Sequence, residues 1–122
     1  MVHFTSQVIV ARNIEIGKNV WKSFALSGGC YIQGINGIHI GDDTIFAPHV
    51  CMISANHTVD DLARHTIEKP IYIGQRCWLG ANVVILPGVT LGDDAVVGAG
   101  AVVTKDFPDG VVIAGVPARI LR

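Results

Sequence analysis

The chain has 122 residues, of which 50% are hydrophobic and 16% are charged; this composition excludes a disordered protein and predicts a single domain over residues 1–122. No run approaches the roughly 18 apolar residues of a membrane-spanning helix, and nine Lys and Arg against ten Asp and Glu provide no basic surface for nucleic acid. The first residues lack the pattern of an export signal, and three cysteines are too few for a disulfide framework. We therefore expect a cytoplasmic protein with reduced thiols, no membrane span and no nucleic-acid partner.

Residues 4–57 carry a repeat with a period of six. Its two apolar columns contain Val8, Ile14, Val20, Leu26, Ile32 and Ile38, and Phe4, Val10, Ile16, Ile40, Phe46 and Met52. A period of six fits neither an α-helix, which repeats about every 3.6 residues, nor a simple strand, which repeats about every 2. It predicts units of one short strand and one corner, whose stacked inward side chains form a continuous core.

The phase of the repeat is lost after His57 and returns, shifted by three residues, at Ile73. Residues 58–72 are therefore predicted to leave the stack and to return to it as a loop. A loop extruded from a rigid stack is a usual place for function, and His57 stands at its root.

Residues 73–108 repeat the pattern more strictly. The predicted inward positions are Ile73, Leu79, Ile85, Leu91, Val97 and Val103, and glycine often follows them. A β-sandwich, whose strands recur every 8–12 residues or so, does not explain this spacing. Trp78 takes an outward position, and an outward tryptophan favours cover by a ligand or by another chain.

The second half of the sequence resembles a known family. The segments that carry the resemblance are Ile73-Gly74, Cys77-Trp78-Leu79-Gly80-Ala81, Ile85-Leu86-Pro87-Gly88-Val89-Thr90-Leu91-Gly92, Gly98-Ala99-Gly100-Ala101-Val102-Val103-Thr104-Lys105-Asp106 and Ala114-Gly115-Val116-Pro117-Ala118-Arg119. They look like the hexapeptide-repeat acyltransferases, in particular the galactoside and maltose O-acetyltransferase branch and the acetyltransferases of surface-polysaccharide synthesis. The resemblance implies an all-β fold: a single left-handed parallel β-helix of about five 18-residue coils, with the loop 58–72 extruded and a short C-terminal tail.

The resemblance also implies the catalytic residues. His57 matches the family's general base, since an imidazole accepts a hydroxyl proton near neutral pH. A base of this kind needs an orienting partner, and among the loop carboxylates Asp60, Asp61 and Glu68 we favour Asp60. Asn56 and Trp78 are predicted to bind the acceptor.

His39 joins the predicted acceptor site through its spacing. Trp21, His39 and His57 recur at the interval of one coil, so they are predicted to stack in one column, about 4.8 Å apart. The polar acceptor-binding residues of the sugar enzymes have no clear match, because Ser27 and Ile35 fall near those places. The acceptor is therefore predicted only as a sugar or a related hydroxyl compound.

Acetyl-CoA is the donor that the resemblance implies, with no metal required. The matching positions are Trp78, Ala81, Ala99, Thr104, Lys105, Arg119 and Arg122. Small residues admit the pantetheine arm against the backbone, and the cations meet phosphates. The family implies a homotrimer with active sites between chains. We therefore predict an acetyl-CoA-dependent O-acetyltransferase.

Two other functions stay open at this stage. A catalytically inactive β-helix scaffold is one of them. A metal-dependent protein of the carbonic anhydrase kind on the same fold is the other; it needs three histidines around zinc, and no convincing third ligand accompanies His39 and His57.

Overall fold

The computed structural model describes residues 1–122 as a triangular rod of short strands. The strands are β1 (Gln7–Ile9), β2 (Ile14–Ile16), β3 (Tyr31–Gln33), β4 (Ile38–Ile40), β5 (Ile45–Phe46), β6 (Cys51–Ile53), β7 (Ile71–Ile73), β8 (Trp78–Leu79), β9 (Val84–Ile85), β10 (Thr90–Leu91), β11 (Val96–Val97), β12 (Val102–Val103), β13 (Val112–Ala114) and β14 (Arg119–Ile120). One short helix, α1 (Trp21–Leu26), and one 3-10 turn, Ala11–Asn13, complete the list. No helix has the length and apolar character needed to cross a bilayer.

The strands form three parallel sheets, one on each side of the rod. Sheet A has the order β1-β3-β6-β9-β12, sheet B has β10-β7-β4-β2, and sheet C has β14-β13-β11-β8-β5. All pairs are parallel except β13 with β14. Because the chain visits sheets A, B and C in turn, it passes three edges of the rod repeatedly. We call them the A–B, B–C and C–A edges.

The inward side chains pack into one core of 25 buried residues. All six positions predicted between Ile73 and Val103 are at most 1% exposed, so the register predicted for the second half is confirmed. Burial of each such aliphatic side chain contributes about 1.5–3 kcal/mol relative to exposure. The continuous core therefore supplies most of the stabilisation of this narrow rod.

Coils of the predicted length occur only in the second half, where Tyr72 pairs with Thr90 and Val84 with Val102. In the first half the paired strands lie further apart along the chain. Gln7 pairs with Tyr31, and Tyr31 pairs with Cys51, so both of these coils are longer than the regular ones. The prediction of uniform coils is therefore wrong for the first half.

Helix α1 explains why the first half still looked periodic. Helix α1 lies on the third side of the first coil, where later coils have a strand, and it lengthens this coil by one hexapeptide. The period of six therefore continues in the sequence, although the side chains at the repeat positions no longer all point inward. Leu26 is 80% exposed on this helix and Phe4 is 91% exposed near the start of the chain. The prediction that both belong to the inward columns is wrong.

The extruded loop covers residues 54–70, because β6 ends at Ile53 and β7 begins at Ile71. The predicted range 58–72 was too late at both ends. The two arms of the loop run antiparallel: the Thr58 N–H donates to the Arg64 carbonyl at 2.9 Å, and the Thr66 N–H donates to the Asn56 carbonyl at 2.8 Å. The loop is thus a hydrogen-bonded arm with internal order.

Candidate active site

The root of the loop is fastened by two amide side chains from the coil below. Gln33 Oε1 accepts the Ala55 N–H at 2.9 Å, and Gln33 Nε2 donates to the Ala55 carbonyl at 3.2 Å. Asn36 Nδ2 donates to the carbonyls of Ser54 and Thr66, both at 2.9 Å, and so ties the two arms together. The sequence pattern had not singled out Gln33 or Asn36, because these contacts join residues that are distant along the chain.

His57 lies at the A–B edge, directly beyond this fastened root, and is exposed. Its imidazole packs against that of His65, with ring centroids 4.9 Å apart and planes inclined by 33°. The two residues face each other across an antiparallel bridge of the loop. His65 was missed by sequence reasoning; a predicted hairpin in the loop would have paired it with His57.

The loop carboxylates make other contacts. Asp61 Oδ1 accepts the Ala63 N–H at 3.0 Å, and Glu68 Oε2 accepts the Thr66 hydroxyl at 3.2 Å. Asp60 is exposed and forms no hydrogen bond with His57. The ring neighbour of His57 in this structure is therefore the His65 imidazole, and the orienting role of Asp60 stays a prediction.

His39 lies on the outer face of sheet B, and the predicted column of Trp21, His39 and His57 is wrong. Its register partners are Glu15 and Tyr72, because α1 and the loop lengthen the adjoining coils. The His39 Nδ1 is 3.1 Å from Glu15 Oε2, and its ring stacks on Tyr72 with centroids 5.1 Å apart. A shallow groove beside these side chains does not include His57.

The structure contains no group of three or more His, Cys, Asp or Glu side chains placed to hold a metal ion. The metal-dependent alternative relied on His39 and His57 in one column. Since the register separates them, that arrangement has lost its geometric basis.

Trp78, Ala81 and Ala99 lie along sheet C and the C–A edge. Trp78 points outward from β8 and is 55% exposed, as the hexapeptide register predicts, with Ile45 beside it. Ala81 and Ala99 follow β8 and β11 at corresponding corners. A Cβ on Gly80 would lie 2.7 Å from the Ala99 nitrogen, so the two corners touch closely and present a smooth edge of small residues.

The three predicted cofactor-binding cations, Lys105, Arg119 and Arg122, form no ion pair with a carboxylate. Lys105 follows β12 at the A–B edge, next to Thr104, and its Nζ lies 5.6 Å from the centroid of the Phe107 ring. Arg119 belongs to β14, Arg122 is the last residue, and both are exposed. Unpaired cations of this kind are suited to phosphate oxygens, so the residues present fit the phosphates of coenzyme A.

Lys69, by contrast, is held by Asp106. Lys69 Nζ lies 3.2 Å from Asp106 Oδ2, while Asp106 Oδ1 accepts the Thr90 N–H at 2.8 Å. The Thr90 N–H, helped by the Lys69 ammonium, keeps the pKa of Asp106 below its usual range against a smaller opposing effect of burial. This contact ties the end of the loop to the last coils.

Seven of the predicted site residues thus form two groups at opposite edges of sheet A. Asn56, His57, Thr104 and Lys105 lie at the A–B edge, whereas Ala81 and Ala99 lie at the C–A edge with Trp78 on the adjoining sheet. One copy of the chain does not bring the two groups together. A site that uses both groups requires a second copy.

Comparison with known proteins places this fold. Residues 70–105 match the family model described as the hexapeptide repeat of succinyl-transferase. A hexapeptide-repeat-containing acetyltransferase of Vibrio cholerae O1 biovar eltor, solved with acetyl coenzyme A, is 32% identical; the match covers 100% of this chain and 69% of that one, with a TM-score of 0.81. The chain belongs to the hexapeptide-repeat acetyltransferase family. Its structural neighbours are left-handed β-helix acetyltransferases, and its parallel rod is the same fold.

Members of this hexapeptide-repeat family with named activities are also similar to it. The galactoside O-acetyltransferase of Escherichia coli K12 is 44% identical over 113 residues, which are 90% of this chain and 54% of that protein. A galactoside acetyltransferase solved with coenzyme A is 38% identical, with 97% of this chain and 62% of that chain covered and a TM-score of 0.81. The chain spans about half the length of the curated relatives it matches.

Proposed function

We propose that the protein transfers an acetyl group from acetyl-CoA to a hydroxyl of a sugar or a related small acceptor, with His57 as the general base. The observation that carries the proposal is the exposed His57 imidazole, held by a ring neighbour at the fastened root of the loop. The two galactoside acetyltransferases named above, one of which was solved with coenzyme A, support the reaction class.

The proposed active unit is a homotrimer with sheet A on its threefold axis. The outward side chains of sheet A include Tyr31, Cys51, Val84 and Val102, which are uncharged and half-buried already in one copy. Sheet B, in contrast, presents Glu15 and His39. Three copies around sheet A place the A–B edge of each copy against the C–A edge of the next, which unites the two groups of site residues. Closed threefold symmetry allows three such sites.

In this arrangement the donor lies between two copies. Ala81 and Ala99 of one copy form the smooth edge along which the pantetheine arm runs. Thr104 and Lys105 come from the neighbouring copy, and Arg119 and Arg122 supply further positive charge near the phosphates. Trp78 lines the wall next to the thioester.

The proposed chemistry needs one proton transfer in each direction. His57 takes the proton of the acceptor hydroxyl while that oxygen attacks the thioester carbonyl, because a neutral alcohol is a weak nucleophile. The carbon–sulfur bond then breaks, and the imidazolium returns the proton to the departing thiolate. The products are the acetyl ester and the free thiol of coenzyme A. A positioned base of this kind contributes typically about 10²–10⁴-fold to the rate.

Acceptor binding is proposed for Asn56 and Trp78, which flank the position of the reacting hydroxyl. His39, on the outer face of sheet B, stays a predicted acceptor residue from the sequence. All three cysteines are free, which supports the proposal that the protein works in a reducing compartment, the cytoplasm.

The test is a screen of sugars, nucleotide sugars and amino sugars that follows thiol release from acetyl-CoA. Wild type is expected to acetylate at least one of them, and His57→Ala is expected to lose most of that activity while keeping the mass of the assembly. Full activity in His57→Ala would remove the mechanism. A lack of acetyl-CoA binding in calorimetry would favour the scaffold instead, and stoichiometric zinc in purified protein would favour the metal-dependent alternative.

A further inference from the structure

His49 occupies the end of β6 opposite to His57. His49 lies two residues before β6 begins at Cys51, at the C–A edge. His57 follows β6 at the A–B edge. Its backbone takes a left-handed conformation with φ of 63°, and its N–H donates to the Gly28 carbonyl at 2.9 Å. His49 is exposed, and its ring nitrogens make no hydrogen bond within the chain.

The His49 ring occupies space that the glycine at position 29 leaves open. A Cβ on Gly29 would overlap the His49 imidazole, and a Cβ on Gly28 would lie 3.0 Å from the ring of His3. The two imidazoles therefore flank the Gly28-Gly29 corner. Thr5 completes this corner, since its hydroxyl accepts the Gly29 N–H at 2.8 Å and contacts His3 Nδ1 at 2.8 Å.

A threefold axis parallel to the rod keeps the three copies of β6 at one height. The three strands then follow one another around the axis, so the carboxyl end of β6 in one copy meets the amino end of β6 in the next. His57 of one copy accordingly faces His49 of its neighbour. This step rests on the proposed trimer with sheet A at the axis.

Along the rod axis, His49 lies at the boundary between the part of the site that binds the donor and the part that binds the acceptor. The C–A edge carries His49 beside β6, Ala81 before β9 and Ala99 before β12, each one coil apart, about 4.8 Å. Acetyl-CoA on Ala99 and Ala81 approaches from the later coils and brings its thioester toward His57. The acceptor then enters from the other side, where His49 and the Gly28-Gly29 corner lie.

We propose that His49 of the neighbouring copy is an acceptor-binding residue that hydrogen-bonds a hydroxyl next to the one acetylated. The proposal rests on the acetyltransferase function given above and deepens it. A neutral imidazole offers one donor and one acceptor, which matches the neighbouring hydroxyls of a sugar. The acceptor class is therefore a compound with at least two adjacent hydroxyls, and each site takes one imidazole from each of two copies.

Any residue that replaces His49 in the test must adopt its left-handed backbone conformation. His49→Gly removes the imidazole and His49→Asn keeps a polar amide, and glycine and asparagine both adopt this conformation readily. Asn19→Gly is the matched control, since Asn19 occupies a left-handed corner with φ of 66° at the remote B–C edge.

Steady-state kinetics with an acceptor from the screen supply the first readout. His49→Gly is expected to raise the acceptor KM roughly three- to tenfold, the loss of one hydrogen bond, with the KM for acetyl-CoA unchanged, and His49→Asn is expected to recover part of the loss. Asn19→Gly is expected to match wild type in both constants. If His49→Gly leaves the acceptor KM unchanged, the inference about His49 is overturned, but the proposed function stands because the wild-type protein still transfers acetyl groups. If the wild-type protein transfers acetyl groups to no acceptor, both the inference and the proposed function are overturned.

A second readout tests the geometry without activity. The double variant His49→Cys with His57→Cys is made in a Cys51→Ser background, because the free Cys51 thiol lies on the same outward face, and is treated with a short thiol-reactive bismaleimide and run on a denaturing gel. Covalent links between chains are expected in the double variant and not in either single variant or in Cys51→Ser alone. Their absence in an intact trimer would overturn the placement of His49 opposite His57.

Discussion

The ring centroids of His57 and His65 lie 4.9 Å apart across an antiparallel bridge within one loop. Backbone hydrogen bonds on either side of this pair, from Thr58 to Arg64 and from Thr66 to Asn56, fix the separation of the two arms. The ring of the proposed base is thus positioned by packing against a second aromatic ring. A carboxylate takes no part in that contact.

Replacement of His65 tests this positioning role. We expect His65→Ala to lower kcat about three- to tenfold, because packing between two aromatic rings is worth about 0.5–1.5 kcal/mol, and to leave the KM for acetyl-CoA unchanged. His65→Phe keeps a ring of similar shape and should recover most of the loss. Thiol-release kinetics measure both constants.

Ile67→Ala is the control for that experiment, since Ile67 belongs to the same loop and is 96% exposed. It is expected to behave as wild type. His65→Ala with wild-type kcat would show that His57 holds its orientation without its neighbour.

The core of the second half was predictable from sequence, whereas the first coil was not. The segment from Ile73 to Val103 follows uniform coils, so counting residues was sufficient. In the first coil, helix α1 adds a segment of the same length as one repeat, and counting by six cannot distinguish it from a strand and a corner. Leu26 was misassigned for this reason.

The positions of the candidate site residues were predictable only where local sequence specifies them. His57 stood at the break in phase, and Trp78 at an outward position of a regular repeat. The contacts of Gln33, Asn36 and His65 depend on how the loop folds back, which no short-range pattern records. The predicted column through His39 failed because two neighbouring coils contain insertions.

Sheet A as the trimer interface is tested by a charge on its outward face. Val84 is half-buried on this face, and an unpaired carboxylate buried between copies costs several kcal/mol. We expect Val84→Asp to dissociate into folded monomers with little acetyl transfer, because each site needs two copies. Light scattering gives the mass, and circular dichroism reports the fold.

Tyr72→Asp supplies the comparison on sheet B, where Tyr72 is exposed on the outer face. It introduces the same charge on a different side of the rod and is expected to leave the assembly intact. A trimeric Val84→Asp protein would place the interface on another side of the rod.

The cations proposed for the donor are tested by reversal of their charge. We expect Lys105→Glu with Arg119→Glu to raise the KM for acetyl-CoA at least about tenfold and to change kcat less, because phosphate contacts contribute binding energy away from the reacting carbonyl. The effect should weaken as ionic strength rises, since exposed charges are screened.

Lys18→Glu with Lys22→Glu is the matched control, because it changes the net charge equally at the opposite end of the rod. Equal increases of KM in the two double variants would indicate a general repulsion of the donor and would discard the specific assignment of Lys105 and Arg119.

The contact of Asp106 with Thr90 and Lys69 predicts a pH-dependent contribution to stability. The pKa of Asp106 is lowered in the folded protein, first by the Thr90 N–H and then by Lys69. A lowered pKa means that the stabilisation is complete above the unfolded value, about 3.9, and is lost as the pH falls through the folded value. We expect Asp106→Asn to lower the free energy of unfolding by up to about 1 kcal/mol at pH 7, a small figure because both side chains are more than half exposed.

Urea unfolding at pH 7 and at pH 3, at one protein concentration, measures this difference. The loss in Asp106→Asn should shrink at pH 3, where the wild-type carboxylate starts to take up its proton. Asp60→Asn provides the comparison, since the Asp60 side chain makes no hydrogen bond and its replacement should change stability little at either pH. If the loss in free energy of unfolding caused by Asp106→Asn is the same at both pH values, the charge of Asp106 contributes nothing to stability. Only the shape of the hydrogen-bond acceptor for the Thr90 N–H would then matter.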